Sequence, residues 1–321
     1  MSMNKGSLTD AFKNLWAILL ATFSGFSSDR VMKLSAALAY YTVFSLSPLL
    51  VLVISMVSLL YGDQAIEGQI FYQINEFMGD EAALQLQEMI RNVKLSGQTT
   101  TAAVTGGIAL LAGATSVFIE IQDSINLIWR VKPKPQRGWL KLLKDRLRSF
   151  SLIISLGFLL LVSLILNGLI AALSNLLSQY FPEITILFVQ LLNVVLSFGV
   201  TMLLFAIIFK YLPDVKISWK DVQWGAFFTA LLFMVGRYLI ALYIETTGTA
   251  SAFGAAGSIV VILVWIYYSA VLLYLGAEFT RAYANHHGLR IKPADYAVYV
   301  EVREIERDVS VLPPQNTNSG Q

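Results

Sequence analysis

The chain has 321 residues, of which 56% are hydrophobic and only 14% charged, and its mean hydropathy is +0.64. Soluble domains carry nearer a quarter of charged residues, so this balance excludes an ordinary soluble fold. It indicates an all-α polytopic membrane protein, because several apolar runs are long enough to cross about 30 Å of hydrocarbon. With no cysteine in the chain, there is neither a disulfide nor a thiolate metal or redox site.

The opening MSMNKGSLTDAFKNL lacks the order of a cleavable signal peptide, so the first span is expected to act as an uncleaved signal. Residues 8–26 gather Leu8, Phe12, Leu15, Trp16, Leu19, Leu20 and Phe23 on one helical face. That one-sidedness predicts an amphipathic helix in the membrane interface, within an N-terminal segment covering residues 1–34.

Six spans follow, at about 35–60, 103–129, 149–173, 186–210, 223–244 and 257–280. They make a transmembrane domain over residues 35–285, and 286–321 form a tail whose end, from about Ser310, reads as disordered. Of the 23 Lys and Arg residues, twenty fall in the N-terminal segment, the 130–148 and 210–220 loops and the tail. Only Arg91 and Lys94 occupy the opposite loops, and Arg237 lies inside a span. The positive-inside rule therefore predicts six helices with both termini cytoplasmic.

The first span contains Pro48, which removes a backbone donor and predicts a kink or hinge. The long external loop, 61–102, is acidic, and its 80–94 portion has the spacing of a surface helix. The 130–148 loop combines two prolines with a basic amphipathic stretch, Trp139 to Arg148, suited to anionic lipid headgroups at the leaflet surface. It has no stacking aromatics that would suggest a nucleic-acid partner. His286 and His287 are adjacent, without the spacing of a helical metal site, and nothing in the chain calls for a cofactor.

Several polar groups lie within the spans. On the second, Ser116, Glu120 and Asp123 share a face with small residues, while Phe118, Ile121, Ile125 and Trp129 fall opposite. The greasy face is expected to meet lipid and the small, acidic face to look inward. The fourth span carries a stripe of Gln190, Asn193, Ser197 and Thr201. The fifth holds Arg237 on a face with Ala226, Ala230, Phe233 and Ala241, at a depth like that of Asn193, roughly 10 Å below the external surface. Each of these groups suits a substrate or proton path; Arg237 equally suits a strut that fixes helix register, Asp123 suits a wetted surface position, and Glu120, one turn deeper, is the better candidate for a proton-linked carboxylate. Glu278 and Arg281, three apart, are expected to pair. The glycines of the sixth span, Gly276 among them, suggest close helix approach.

The runs ALAYYTVFSLSPLL, IQDSINLIWRV and FGAAGSIVVILVWIYYSAVLLYLGAEFTRA, in that order, resemble the YihY/BrkB family of bacterial inner-membrane proteins over about residues 30–285. The resemblance implies a six-helix protein of the cytoplasmic (inner) membrane. Family members have been described as tRNA-processing ribonucleases, a label regarded as mistaken, as virulence or serum-resistance factors, and as transporters. It carries no catalytic residue over to this chain.

Metal-dependent nuclease chemistry needs clustered ligands on a wetted scaffold, which the short loops on the basic side do not offer. The inward polar faces favour a transporter, exporter or lipid translocator over an enzyme. Its cargo would be an anionic lipid or small amphiphile, met by Arg237, with Glu120 at the inner end of the path. The alternative is a non-transporting scaffold or envelope-assembly factor whose polar groups lock the bundle.

Overall fold

The computed structural model describes residues 5–45, 84, 116–134, 182–247, 257–288 and 291–301. Pro48, the 80–94 helix apart from residue 84, the third span and the basic stretch from Trp139 to Arg148 lie outside the described residues.

The described chain is mostly helical. Helix α1 runs Lys5–Ser28, residues 31–45 form α2 and residues 116–128 form α3. Three long helices follow: α4 at Pro182–Tyr211, α5 at Trp219–Thr247 and α6 at Gly257–His286. The apolar stretches Leu191–Tyr211, Trp219–Thr247 and Ile259–His286 are long and apolar enough to cross a membrane. The protein is a membrane protein.

Each helix end has a local cause. Pro182 opens α4, where a missing N–H costs nothing. At the start of α5, the Ser218 hydroxyl donates to the Asp221 carboxylate at 2.8 Å, and that carboxylate lies near the positive end of the helix dipole. Past α6, Gly288 takes the left-handed conformation, φ 66°, that lets the chain turn away. Two arginines adopt the same conformation without glycine's freedom: Arg30 (φ 52°) after α1 and Arg130 (φ 56°) after α3. Such a backbone costs about 1 kcal/mol or more and persists where surroundings enforce it.

Helices α5 and α6 pack antiparallel through a reciprocal lock. A methyl group on Gly225 would sit 1.8 Å from Thr280 Oγ1, and one on Gly276 would sit 1.9 Å from Thr229 Oγ1. Both threonines are pinned by hydrogen bonds of 2.7 Å to carbonyls on their own helices, Thr229 to Gly225 and Thr280 to Gly276. Each helix thus offers a Gly-x-x-x-Thr face whose hole receives the other's threonine, the close approach expected of Gly276. Phe228 and Phe279 stack beside the lock with centroids 4.0 Å apart. On its other side α5 meets α4 through edge-to-face pairs, Phe205 with Phe233 and Phe198 with Phe227.

Helix α1 docks on the final turns of α6 by a narrow stripe of Ile18, Thr22 and Gly25, all buried. Its apolar face remains on the surface, with Phe12, Leu15, Trp16, Leu20 and Phe23 all exposed.

The helical fold carries one addition that the six-span reading did not include. The segment after α6 folds back as strands and makes two antiparallel ribbons. Strand β1, Val131–Pro133, pairs with β4, Ala297–Tyr299. Strand β2, Val215–Lys216, pairs with β3, Lys292–Pro293. Backbone bonds from Lys134 N–H to Tyr296, Ala294 N–H to Asp214 and Val300 N–H to Arg130 extend this stitching. The first residues of the predicted tail are therefore a clasp across two loops. Hydropathy could not show it, because strands of two or three residues leave no period to read.

Candidate functional site

The clasp closes one end of the bundle, called the base here, where the turns at 29–30, 129–134 and 212–218 meet the chain beyond α6. Two buried polar knots lie there.

The first centres on Asp29, whose side chain is 1% exposed. One carboxylate oxygen accepts from Arg130 Nη2, and the other accepts from Arg281 Nη1 at 3.1 Å. Arg281 Nη1 also donates to the Ile128 carbonyl at the end of α3. Its Nη2 lies 2.9 Å from the Glu278 carboxylate, as the three-residue spacing predicts. Glu278 is itself buried, and a methyl group on Gly25 would sit 2.3 Å from its Oε2. Gly25 is thus what lets α1 lie against this carboxylate. One arginine spans α1, α3 and α6, and the left-handed turn at Arg130 aims a second one at the same aspartate.

The second knot centres on Asp214, 3% exposed. Its carboxylate accepts from Gln122 Nε2 at 3.1 Å, Asn126 Nδ2 at 2.9 Å and the Tyr296 hydroxyl at 2.8 Å. Its own N–H donates to Asn126 Oδ1 at 2.8 Å. Gln122 and Asn126 are one turn apart on α3, so one helix face binds the α4–β2 turn and the clasp together.

Neither knot was evident in the sequence. Asp29 follows two serines at a helix end, and Asp214 follows a proline, so both read as solvated turn residues. The only available signal was the cluster of amide side chains, Gln122 and Asn126, facing one way on an apolar helix.

The predicted path residues are distributed unevenly. Ser116 and Asp123 are exposed, whereas Glu120 is half-buried beside Ser124. Ser124 neighbours Tyr274 of α6, and both hydroxyl oxygens are buried without a well-formed hydrogen bond among the described residues. The expected orientation of α3 is reversed. Ile125 is fully buried and Trp129 is 6% exposed, with Phe118 and Ile121 packed on the same core against Phe205, Phe209 and Tyr274. The outward face is Ser116, Ile119, Asp123 and Leu127. Near the base the helix follows the rule of a water-facing surface, with apolar groups inward and the carboxylate outward.

On α4, Ser197 and Thr201 are buried and Asn193 is exposed, while Gln190 lies a turn or so before them. Arg237 is half-buried on α5, and its guanidinium lies over the neighbouring Tyr238 ring, 5.0 Å from the centroid, with Nη2 3.2 Å from the hydroxyl. The structure brings Glu120, Ser124 and Tyr274 together, and leaves Asn193 exposed one turn before the buried Ser197.

An open crevice of about 520 Å³ cuts into the base between the first knot and the clasp. Trp129, Arg130, Arg281, Asn285, Ile291 and Tyr299 are among the residues that line it.

The family profile described as "Virulence factor BrkB" matches residues 22–297. The chain belongs to the BrkB family. The matched region encloses both knots, from Asp29 to Tyr296, and ends at the first residue of β4. Among relatives, a "UPF0761 membrane protein" of Psychromonas ingrahamii is 28% identical over 288 residues, covering 87% of this chain and 92% of the relative. One of Tolumonas auensis is 29% identical over 255 residues, covering 78% of this chain and 80% of the relative. A ribonuclease-like protein of Bacillus subtilis, YfkH, is 27% identical over 267 residues, covering 82% and 93%. No solved structure matches the chain.

Proposed function

We propose that this BrkB-family protein is a translocator of the bacterial cytoplasmic membrane, with both termini inside, that moves an anionic lipid or small amphiphile through its helix bundle without enzymatic chemistry. The observation that carries this reading is Arg237. It is a half-buried guanidinium in the second half of α5, a helix long and apolar enough to cross a membrane. A charge at such depth costs about 3 kcal/mol or more on insertion scales, which makes it a functional residue by default. Ser197 and Thr201, buried on the adjoining α4, supply neutral hydrogen-bonding groups beside the same helix pair. Glu120, with Ser124 and Tyr274, is the inner end of the path, where a proton gradient or downhill movement supplies the drive. The basic 130–148 loop meets anionic headgroups, and no nucleic acid partner is required.

The test is flux in reconstituted liposomes, with fluorescent anionic and zwitterionic lysolipids as candidate cargo. Wild-type protein is expected to accelerate movement of the anionic probe, Arg237→Ala to abolish the acceleration, and Glu120→Gln to remove its dependence on a pH gradient. Equal flux from all three proteins, or none above protein-free vesicles, sinks the translocator reading.

A second reading, a static envelope scaffold, is favoured by the knots at Asp29 and Asp214, which hold α1, α3, α6 and the clasp together. On that reading Arg237→Ala lowers the melting temperature and leaves vesicle flux at its background.

A further inference from the structure

We infer that the crevice at the base is a binding site for a phosphate monoester group, carried on a lipid or free, held by Arg130, Arg281 and Trp129. This rests on the translocator reading only for its role as the inner loading site; the binding itself does not depend on transport.

The argument begins with the donors left over by the first knot. Arg130 gives Asp29 a single nitrogen, Nη2, so its Nε and Nη1 are unspent among the described residues, and its side chain is 32% exposed. Arg281 commits both terminal nitrogens to Asp29, Ile128 and Glu278, leaving Nε. Trp129 lines the same crevice, and its indole N–H is buried with no hydrogen-bond partner among the described residues. A buried N–H without a partner costs about 1–3 kcal/mol, which an accepting ligand would recover. Asn285, exposed at the end of α6, adds an amide to the wall.

Among the described residues no carboxylate lines the crevice. Asp29 and Glu278 stand behind the arginines and offset much of their charge. The site therefore selects by oriented N–H donors rather than by bulk field, which suits a tetrahedral oxyanion accepting several charge-assisted bonds. The remaining wall is apolar: Val131, Val215, Ile291 and Pro293, with the Tyr299 ring. A volume of about 520 Å³ exceeds what a bare phosphate fills and falls in the range of small-molecule sites. A headgroup with the first part of an acyl chain matches both the polar and the apolar wall.

Full-length protein in detergent is titrated with lysophosphatidic acid, lysophosphatidylcholine and inorganic phosphate, with binding read by native mass spectrometry and by thermal shift. Lysophosphatidic acid is expected to bind at least about tenfold more tightly than lysophosphatidylcholine, the loss expected from one or two charge-assisted hydrogen bonds. Arg130→Gln is expected to weaken it by about tenfold or more. Because that change also disturbs Asp29, Asn285→Ala serves as the second variant: it removes an exposed lining amide and should weaken binding several-fold with the melting temperature of the unliganded protein nearly unchanged. Competition by inorganic phosphate at equal concentration assigns the site to the free anion; failure to compete assigns it to the lipid. Equal affinity of wild type and both variants, or equal affinity for the zwitterionic lipid, overturns the site. Flux persisting without this binding would leave the translocator reading intact, and binding without flux would do the reverse.

Discussion

The base of the bundle and its membrane-crossing half are held by different chemistry. At the base, carboxylates are buried and answered: Asp29 by two guanidiniums, Asp214 by two amides and a phenol. Between α5 and α6 there is no such pairing at the contact among the described residues; two threonines fill two glycine holes, two phenyl rings stack, and Ile240 and Ile244 pack on Val261. The contrast follows from the solvent. Helices surrounded by lipid gain little from hiding apolar groups from one another, so they associate by close packing. At the base, water competes for every polar group, and segments far apart in sequence are joined by backbone ribbons and by the buried aspartates with their partners. A matched knot is not necessarily a large net source of stability, but breaking one half of it is costly.

The largest expected effect tests that asymmetry directly. Asp29→Ala leaves two arginines facing each other across a buried position and should cost about 3–5 kcal/mol. Chemical unfolding in detergent should show it, together with early proteolysis within α1. A cost below about 1 kcal/mol would mean that the knot is already wetted and that the base is no more tightly organised than the rest. Next is the packing lock. Gly276→Ala puts a methyl group into the pinned Thr229 hydroxyl and should cost about 1–3 kcal/mol by overpacking. Adding Thr229→Ala should recover part of that loss, a coupling measurable by a double-mutant cycle. Additive losses would show that the two helices do not meet where the geometry has them. Asn126→Ala comes third. It removes a donor to the Asp214 carboxylate and the acceptor for the Asp214 N–H, and should cost about 2 kcal/mol. Hydrogen exchange at the Asp214 and Ala294 amides should rise with it, since both anchor the clasp.

The same contrast decides what could be read from the residues alone. The three long helices were legible because apolar runs of that length have no other use. The expected spans of 186–210, 223–244 and 257–280 lie within helices of 182–211, 219–247 and 257–286. The extra turns carry Lys220, Asp221, Glu245 and Arg281, so the helix continues where hydropathy ends. The Glu278–Arg281 pair and the Gly276 contact were legible because both depend on spacing along a single helix. Asp29 was not, since its partners are 101 and 252 residues away and the chain on either side of it reads as a turn. The error over α3 has a different origin. Periodicity separated its two faces correctly, but which face is buried depends on whether water or lipid lies outside, and a helical period carries no information about that. Of the candidate path, Ser197 and Thr201 are buried, Arg237 is half-buried and Asn193 is exposed.

The smallest effect probes the outermost stitch of the base, the exposed ion pair between Lys216 of β2 and Asp295, 2.6 Å apart. The Lys216 ammonium, through its hydrogen bond and its charge, holds the Asp295 carboxyl below its ordinary range. A carboxyl whose value is lowered by folding binds protons more readily when unfolded. Its contribution is therefore present in full above the unfolded value, near about 4, and is lost as pH falls through the lower folded value. At neutral pH the pair is intact, and lowering the pH below about 4 should loosen the β2–β3 ribbon. Lys216→Gln should raise the Asp295 titration toward the ordinary aspartate range, seen by NMR of a carboxyl-labelled sample, with scarcely any change in melting temperature at pH 7. Exposed pairs contribute little, so a large loss of stability in this variant would show that the clasp depends on its surface charges, and that the base is held from outside rather than by its buried knots.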